Sequence, residues 1–444
     1  MVTSMLPIPF LQRSDRREFL TTVGTSAAAA ALSGGTVRPL FADDEAPVKP
    51  PRGTAEACIF LWLGGGACHI DTFDPKEKGD GKKKPGSAYD PIPTAIAGAQ
   101  VCEHLKRSAP LLDRAVLVRS LHHDVVDEHA AATNRVHTGR PTSGTIAYPS
   151  IGSLVAHELP RRDSIPPYVV MGYPNVSRNP GFLGAKCGYL YLTETDVGPN
   201  GLIRAVDVND SRQARREALL AQARDQFVKR NPGDTAIENY AAVTVEGLRL
   251  AGPEFLSVFN LKNEPSALRE SYGGEFGQRC LLARRLVQSG VRFVEVSFNL
   301  NFVNGTGWDT HNEGQKNQHL LIDQLDQAFA ALLVDLEQHM LLDKTLIVIA
   351  TEFGRPPEFD GGGGRGHHAK AFSGVLAGGG LRSGRVIGET DELGKTIVRD
   401  PVSIPNFHAT IFATLGINPA KELYDGQRPV PITDQGRPIR ELFA

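Results

Sequence analysis

The sequence of 444 residues predicts an α/β fold with a large, mostly parallel central sheet and helices on both faces. Short, wholly apolar runs alternate along the chain with longer segments of helical periodicity, as in sheets built from strands joined by crossover helices. The composition, 41% hydrophobic and 22% charged, is that of an ordinary globular protein. A formal net charge of −2 gives no electrostatic reason to expect nucleic-acid binding.

The first predicted strand is Glu56–Leu63, a continuous apolar run closed by three glycines and typical of a strand buried on both faces. Similar runs predict further strands at Ala115–Val118, Tyr168–Met171, Phe293–Phe298, Leu346–Ala350 and Gly374–Ala377. Helical periodicity is expected at about 209–229, 234–250, 276–290, 313–340 and 405–415.

Three segments surround this α/β region. Arg16 and Arg17, followed by Phe19, Leu20 and an alanine-rich stretch, are typical of a twin-arginine export signal, so 1–42 is interpreted as that signal and 43–54 as a linker. The alternative is a cytosolic amphipathic start. Residues 55–444 are expected to form one domain, interrupted at about 172–274 by a partly helical insertion that either caps the site or is purely structural. We therefore expect a periplasmic or extracellular protein whose mature chain has no transmembrane span.

The apolar run Leu346–Ala350 ends in Glu352, Gly354 and Arg355. A carboxylate at the end of a buried strand is costly unless it is paired or bound to a cation, so Glu352 is a candidate metal ligand. The alternative is an ion pair with Arg355 or Arg365. Arg355 is a candidate for neutralising a bound anion.

Asp309 and His311 follow the predicted strand that ends at Phe298, and their spacing lets both side chains bind one ion. The alternative is that Asp309 caps the next helix while His311 faces solvent. His367 and His368 follow a four-glycine loop. Because adjacent side chains point in different directions, we expect only one of these two histidines to be a ligand.

The ordered motifs resemble the DUF1501 family, which is related to the alkaline phosphatase and sulfatase superfamily. The resemblance covers about 55–440 and rests on Gly64–Gly66, Asp71–Pro75, Trp308–His311, Thr351–Arg355 and Pro401–Thr410. It implies an alkaline-phosphatase-like fold, with Asp309, His311 and His408 at one metal and Asp71 and Glu352 at another. Phe353 departs from the Asp-His pair of phosphatases and cannot bind a metal.

The segment from His129 to Arg140 resembles the sulfatase signature that ends in Thr-Gly-Arg. By this resemblance, His129 occupies the place of the usual cysteine, serine or threonine nucleophile, and Thr133 replaces an arginine. His129 is therefore interpreted as a metal ligand or base, or less favourably as a nucleophile. Arg140 and Arg355 are expected to bind the oxygens of a tetrahedral anion.

These features predict an exported, metal-dependent hydrolase of sulfate or phosphate esters that uses a metal-activated water or a histidine as nucleophile. The expected cofactors are one or two divalent ions per chain, zinc, manganese or calcium, and the expected substrate is a small-molecule or polysaccharide ester. The alternative is a non-catalytic, sulfatase-like binding or surface protein. Loss of the usual nucleophile and the Glu352–Phe353 dipeptide favour that alternative.

Overall fold

A nine-stranded sheet forms the centre of the computed structural model. The structure describes residues 53–443 except for 163, 173–175, 194, 196–197, 200–206, 251–252, 299–306, 312–314 and 316. The expected export signal and most of the linker therefore lie outside the described residues. None of the described helices combines the length and apolar character needed to cross a membrane.

The strands follow the apolar runs of the sequence. They are β1 (Ala57–Trp62), β2 (Pro91–Pro93), β3 (Gln100–Cys102), β4 (Ala115–His122), β5 (Tyr168–Met171), β6 (Leu190–Leu192), β7 (Phe293–Ser297), β8 (Thr345–Ala350), β9 (Phe372–Gly378), β10 (Arg385–Ile387), β11 (Glu389–Thr390), β12 (Ile397–Arg399), β13 (Val402–Ser403), β14 (Glu422–Asp425) and β15 (Arg428–Pro431).

The central sheet has the order β10-β4-β9-β8-β1-β7-β5-β6, with β13 added beside β4. Strand β9 is antiparallel to both of its neighbours, and the other pairings in this sheet are parallel. The predicted large, mostly parallel sheet is therefore confirmed. The hairpins β2–β3, β11–β12 and β14–β15 lie outside it.

The helices are α1 (His129–Thr138), α2 (Ile151–Glu158), α3 (Asp210–Arg230), α4 (Thr235–Leu250), α5 (Pro253–Leu256), α6 (Ser266–Tyr272), α7 (Glu275–Ser289), α8 (Gln318–Gln338) and α9 (Ile404–Thr414). All five predicted helices are present, within a few residues of their expected bounds. Side chains of β1 alternate between two cores: Ile59 and Leu61 pack with residues of α7 and α8, and Phe60 and Trp62 with residues of α2 and α9. Helices therefore cover both faces of the sheet, as predicted.

The segment at 172–274, which we expect to be an insertion, contributes both sheet and helices. Strand β6 pairs in parallel with β5, so part of this segment extends the central sheet at its edge. Helices α3 to α6 follow. Helix α3 has no buried residue, whereas Leu250 at the end of α4 and Tyr272 at the end of α6 are buried.

A buried acid on β7 fixes α1 to the sheet. Glu295 Oε1 accepts hydrogen bonds from Arg178 Nε at 2.8 Å, and it lies 3.3 Å from Nε2 of His137, near the end of α1. Tyr168 of β5 donates to the other carboxylate oxygen of Glu295 at 3.3 Å. Since a buried charge is tolerated only when it is paired, this network specifies how α1 packs on β7.

The acid stability of the protein should depend on Glu295. Burial opposes ionisation of this carboxyl group, but the charges of Arg178 and His137 outweigh burial and lower the pKa of Glu295 to about 2. A depressed acid pKa stabilises the fold above about pH 4.5, and this contribution, about 3 kcal/mol, disappears as the pH falls toward 2. Chemical denaturation between pH 7 and pH 2.5 should show a smaller loss of stability in Glu295→Gln than in the wild type; equal losses would contradict this role.

Candidate metal centre

Three neighbouring strands deliver polar side chains to one edge of the sheet. Strands β7, β1 and β8 are adjacent and parallel, so their carboxyl ends meet there. Asp309 and His311 follow β7, Glu352 follows β8, and His129 is the first residue of α1. His367 joins them from the loop before β9. A bridge between Gly354 and His368 holds this loop. With Arg355, which contacts Asp309, the edge therefore brings together six of the sequence-predicted site residues.

Three imidazole nitrogens surround one carboxylate oxygen. The Nε2 atoms of His311, His129 and His367 lie 3.1, 3.4 and 3.6 Å from Asp309 Oδ1. The Nε2 atoms of His311 and His367 lie 3.0 Å apart. Within the described part of the chain, one group of residues has the geometry to hold a metal ion: His129, Asp309 and His367, whose ligand atoms lie within 4.8 Å of one another.

Glu352 lies behind this group. Its Oε1 lies 2.8 Å from His129 Nδ1 and accepts a hydrogen bond from the Gly65 backbone N–H at 2.8 Å. Thr351 Oγ1 lies 3.2 Å from Oε2 and 2.8 Å from the carbonyl oxygen of Leu63, so its one proton has two acceptors. Glu352 does not form the ion pair with Arg355 or Arg365 that was the alternative in the sequence analysis. Its partner is His129.

The glycines after β1 permit a close approach to Asp309. A Cβ atom at Gly65 would lie 2.4 Å from the Asp309 backbone nitrogen, and Gly65 also has a φ of +117°, which side chains disfavour. Arg355 fastens the same loop, since its Nε donates to Gly66 O at 2.9 Å and its Nη2 to Asp309 Oδ1 at 2.5 Å. The glycine run and Arg355 thus position the central carboxylate.

Phe353 fills the space beneath two of the histidines. It is fully buried, and its ring centroid lies 4.8 Å from that of His129 and 4.4 Å from that of His367. In phosphatases, by the resemblance described above, this position belongs to a metal-binding Asp-His pair. Here it is a phenylalanine beside the histidine cluster. Its ring supports the imidazoles and offers no ligand atom.

The charges of the cluster shift the pKa values of its members. Burial alone lowers the pKa of His129, but the carboxylates of Asp309 and Glu352 outweigh it and raise this pKa to about 9. Burial raises the pKa of Asp309, but contacts with His129, His367 and Arg355 hold it well below its usual range. Without a metal, the cluster is therefore an ion pair network in which His129 is protonated at neutral pH.

The structure places Asp71 outside this cluster. Asp71 and Arg365 are both fully buried, and Arg365 donates to both carboxylate oxygens at 2.9 and 3.2 Å. Asp71 Oδ1 also accepts from the Ala88 backbone N–H at 2.6 Å, and Gln315 Nε2 donates to Oδ2. These donors hold Asp71 in a buried ion pair apart from the cluster, whereas the resemblance implied that it is a metal ligand.

Three more predicted site residues lie apart from the cluster. His368 Nε2 lies 2.9 Å from Lys395 O, and the buried His408 has its Nε2 2.7 Å from Val136 O. Burial lowers the pKa of His408 to about 4, so it is a neutral core histidine. Arg140 donates to Asp434 at 3.2 Å and to the carbonyl oxygen of Thr433 at 2.9 Å. These side chains are held by backbone carbonyl oxygens and by a carboxylate that lies far away along the chain. The sequence does not reveal such partners.

The fold and the site define an α/β protein with a candidate metal centre at the carboxyl ends of its central strands. The chain belongs to the DUF1501 family, described as "Protein of unknown function (DUF1501)", whose profile matches residues 55–443. The resemblance to this family seen in the sequence is thereby confirmed. A search of curated proteins gave no match.

Several solved structures of sulfatases and related hydrolases are similar to this chain. Ps i-CgsB, solved in complex with k-i-k-neocarrahexaose, has 12% identity and a TM-score of 0.39, with 83% of this chain and 73% of that chain covered. The PsFucS1 sulfatase from Pseudoalteromonas sp. has 12% identity and a TM-score of 0.37, covering 91% and 72%. The phosphonate monoester hydrolase SpPMH from Silicibacter pomeroyi has 11% identity and a TM-score of 0.37, covering 87% and 76%.

The separate roles of the buried Asp71 and the partly exposed Asp309 can be tested by substitution. Asp71→Asn leaves Arg365 buried without its counter-charge and should reduce the free energy of unfolding by about 3–5 kcal/mol, while metal content stays unchanged. Asp309→Asn should instead abolish metal binding. Denaturant unfolding and elemental analysis of both variants check this; a stable, metal-deficient Asp71→Asn protein would show that Asp71 is a ligand.

Proposed function

We propose that this protein is a metal-dependent hydrolase of phosphate or sulfate esters. The observation that carries the proposal is the group of His129, His367 and Asp309, with His311 beside it on the open side. Three protein ligands and one open position are typical of catalytic zinc sites, whereas structural sites are closed by four ligands. The ion would therefore be accessible to a substrate.

The residues present fit a transition-metal ion. His129 Nε2 is buried, lies 3.4 Å from Asp309 Oδ1 and makes no hydrogen bond of good geometry, so a metal ion that displaces its proton would take this nitrogen as a ligand. Two imidazoles and one carboxylate suit zinc or manganese, whereas calcium is bound by sets of oxygen ligands. Of the three metals expected from the sequence, this donor set favours zinc and manganese over calcium.

A divalent cation at this position would supply a Lewis acid that polarises the ester and acidifies a water molecule. The chain's own contribution is to hold and orient. Arg355 and the Gly65 loop fix Asp309, and Glu352 fixes His129. His311, whose side chain is 38% exposed, is the most accessible member of the cluster, and in this proposal it would accept a proton from a water molecule.

The arginines that we expected at the substrate oxygens have other partners. Arg355 is fully buried, and its nitrogens donate to Asp309 and to the carbonyl oxygens of Gly66 and Arg365. Arg140 is held by Asp434. Neutralisation of a tetrahedral anion would therefore fall mainly on the cation, with Arg355 acting through Asp309.

The same observation favours a second candidate, a non-catalytic metal-binding protein. Because the Nε2 atoms of His311 and His367 lie only 3.0 Å apart, one ion could take both imidazoles. With His129 and Asp309 this would make a closed, four-ligand site of the structural type. The role of His311 thus separates the two candidates.

The substrate of the proposed hydrolase would lie outside the cytoplasm. Arg16, Arg17 and the alanine-rich stretch after them resemble a twin-arginine signal, and this pathway carries folded proteins with metals already bound. We therefore include small and polysaccharide esters among the proposed substrates.

Hydrolysis is tested with the purified, zinc- or manganese-loaded protein on aryl phosphate, aryl sulfate and sulfated glycans. His367→Ala should lose both metal and activity, because it removes a ligand. His368→Ala is the matched control, since the adjacent histidine lies outside the cluster, and it should retain both. A metal-loaded wild type that cleaves none of these esters contradicts the proposal.

His311→Ala separates a base from a fourth ligand. As a base, His311 contributes about 10²–10⁴-fold to the rate, so kcat should fall by that factor while zinc content stays the same. If zinc is lost together with activity, His311 is a ligand and not the base. Loss of zinc from His311→Ala, when the zinc-loaded wild type cleaves no ester, favours the non-catalytic candidate. Paired measurements of kcat and of zinc content distinguish these results.

A further inference from the structure

The two ring nitrogens of His129 have different surroundings. Nδ1 lies 2.8 Å from Glu352 Oε1, and the side chain of Glu352 is only 3% exposed. Nε2 faces Asp309 Oδ1 at 3.4 Å without a hydrogen bond of good geometry. An imidazole that donates from one nitrogen to a carboxylate presents its other nitrogen as a ligand, and metal-bound histidines commonly have such a carboxylate partner.

The contacts of Glu352 point away from a ligand role. The Gly65 backbone N–H donates to Oε1 at 2.8 Å, in addition to the contact of this oxygen with His129. Glu352 is not a member of the group whose ligand atoms converge in the described part of the chain. Its carboxylate lies one imidazole ring away from Asp309.

The packing of His129 keeps its ring in this orientation. Its centroid lies 4.8 Å from that of the buried Phe353 and 4.5 Å from that of His367, the latter in an edge-on contact. As the first residue of α1, His129 is also anchored by the helix, whose N-cap Glu128 accepts hydrogen bonds from two backbone N–H groups. Its ring is therefore held on several sides.

We propose that His129 binds the metal through Nε2 and that Glu352 is a positioning residue, which accepts the Nδ1 proton and does not touch the metal. This inference rests on the proposed metal centre. It changes the role expected from the sequence for Glu352, which was a candidate ligand, and for His129 it selects the ligand role over the roles of base and nucleophile. With Asp71 and Glu352 both committed elsewhere, the site holds one metal ion.

This assignment is tested by measuring the zinc affinity of the full-length protein in competition with a chromophoric chelator. The proteins are the wild type, His129→Ala, Glu352→Gln and the double variant, with the exposed Glu358→Gln as a matched carboxylate control. Removal of the carboxylate that is hydrogen-bonded to a metal-bound histidine weakens metal binding by about 10–100-fold. We expect a loss of zinc affinity of this size for Glu352→Gln. Glu358→Gln should bind like the wild type.

The double variant distinguishes a positioning residue from a ligand. If Glu352 acts only through His129, the double variant binds zinc no more weakly than His129→Ala alone. If the two losses multiply, Glu352 is an independent ligand and the assignment is overturned. Unchanged affinity in His129→Ala overturns it as well.

A second measurement needs no variant. Nitrogen NMR of the zinc-loaded wild type should show His129 protonated at Nδ1 and metal-bound at Nε2; the opposite tautomer contradicts the assignment. The hydrolase proposal can fail without this inference. If the protein binds zinc with His129 in this tautomer but cleaves no ester, the hydrolase proposal is contradicted and the assignment of His129 and Glu352 stands. A wild type that binds no zinc overturns both.

Discussion

The candidate site depends on one carboxylate oxygen, Oδ1 of Asp309, which lies within 3.6 Å of three imidazole nitrogens and 2.5 Å from an Arg355 nitrogen. Opposite charges at this separation inside a protein interact more strongly than in water. The position of Asp309 also explains the glycine at 65 after β1, because a side chain there would displace the Asp309 backbone. The edge of the sheet is thus built around the position of this one group.

Much of the fold could be predicted because burial on both faces leaves a clear pattern in the sequence. Apolar runs such as Tyr168–Met171 became strands at their expected positions, and two acids that follow neighbouring strands, Asp309 and Glu352, met at one edge. The edge strand β6 was not predicted, since its three residues are too short to show a period.

The remaining site residues could not be assigned from residue types. Asp71 follows a buried strand as Glu352 does, but its partner, Arg365, lies 294 positions away, and no local pattern reveals that pairing. His408 is likewise held by a backbone carbonyl of α1, and burial keeps its ring neutral. Of the adjacent histidines, only one was expected in the site, and the bridge between Gly354 and His368 determines that it is His367.

The central claim is a single metal ion held by His129, His367 and Asp309. Its most direct test is a crystal structure of the zinc-loaded protein with data collected at the zinc absorption edge. One anomalous peak about 2.0–2.2 Å from His129 Nε2, His367 Nε2 and an Asp309 oxygen is predicted. Two peaks about 3.5–4 Å apart, or a peak bound to Asp71 or Glu352, would contradict the account.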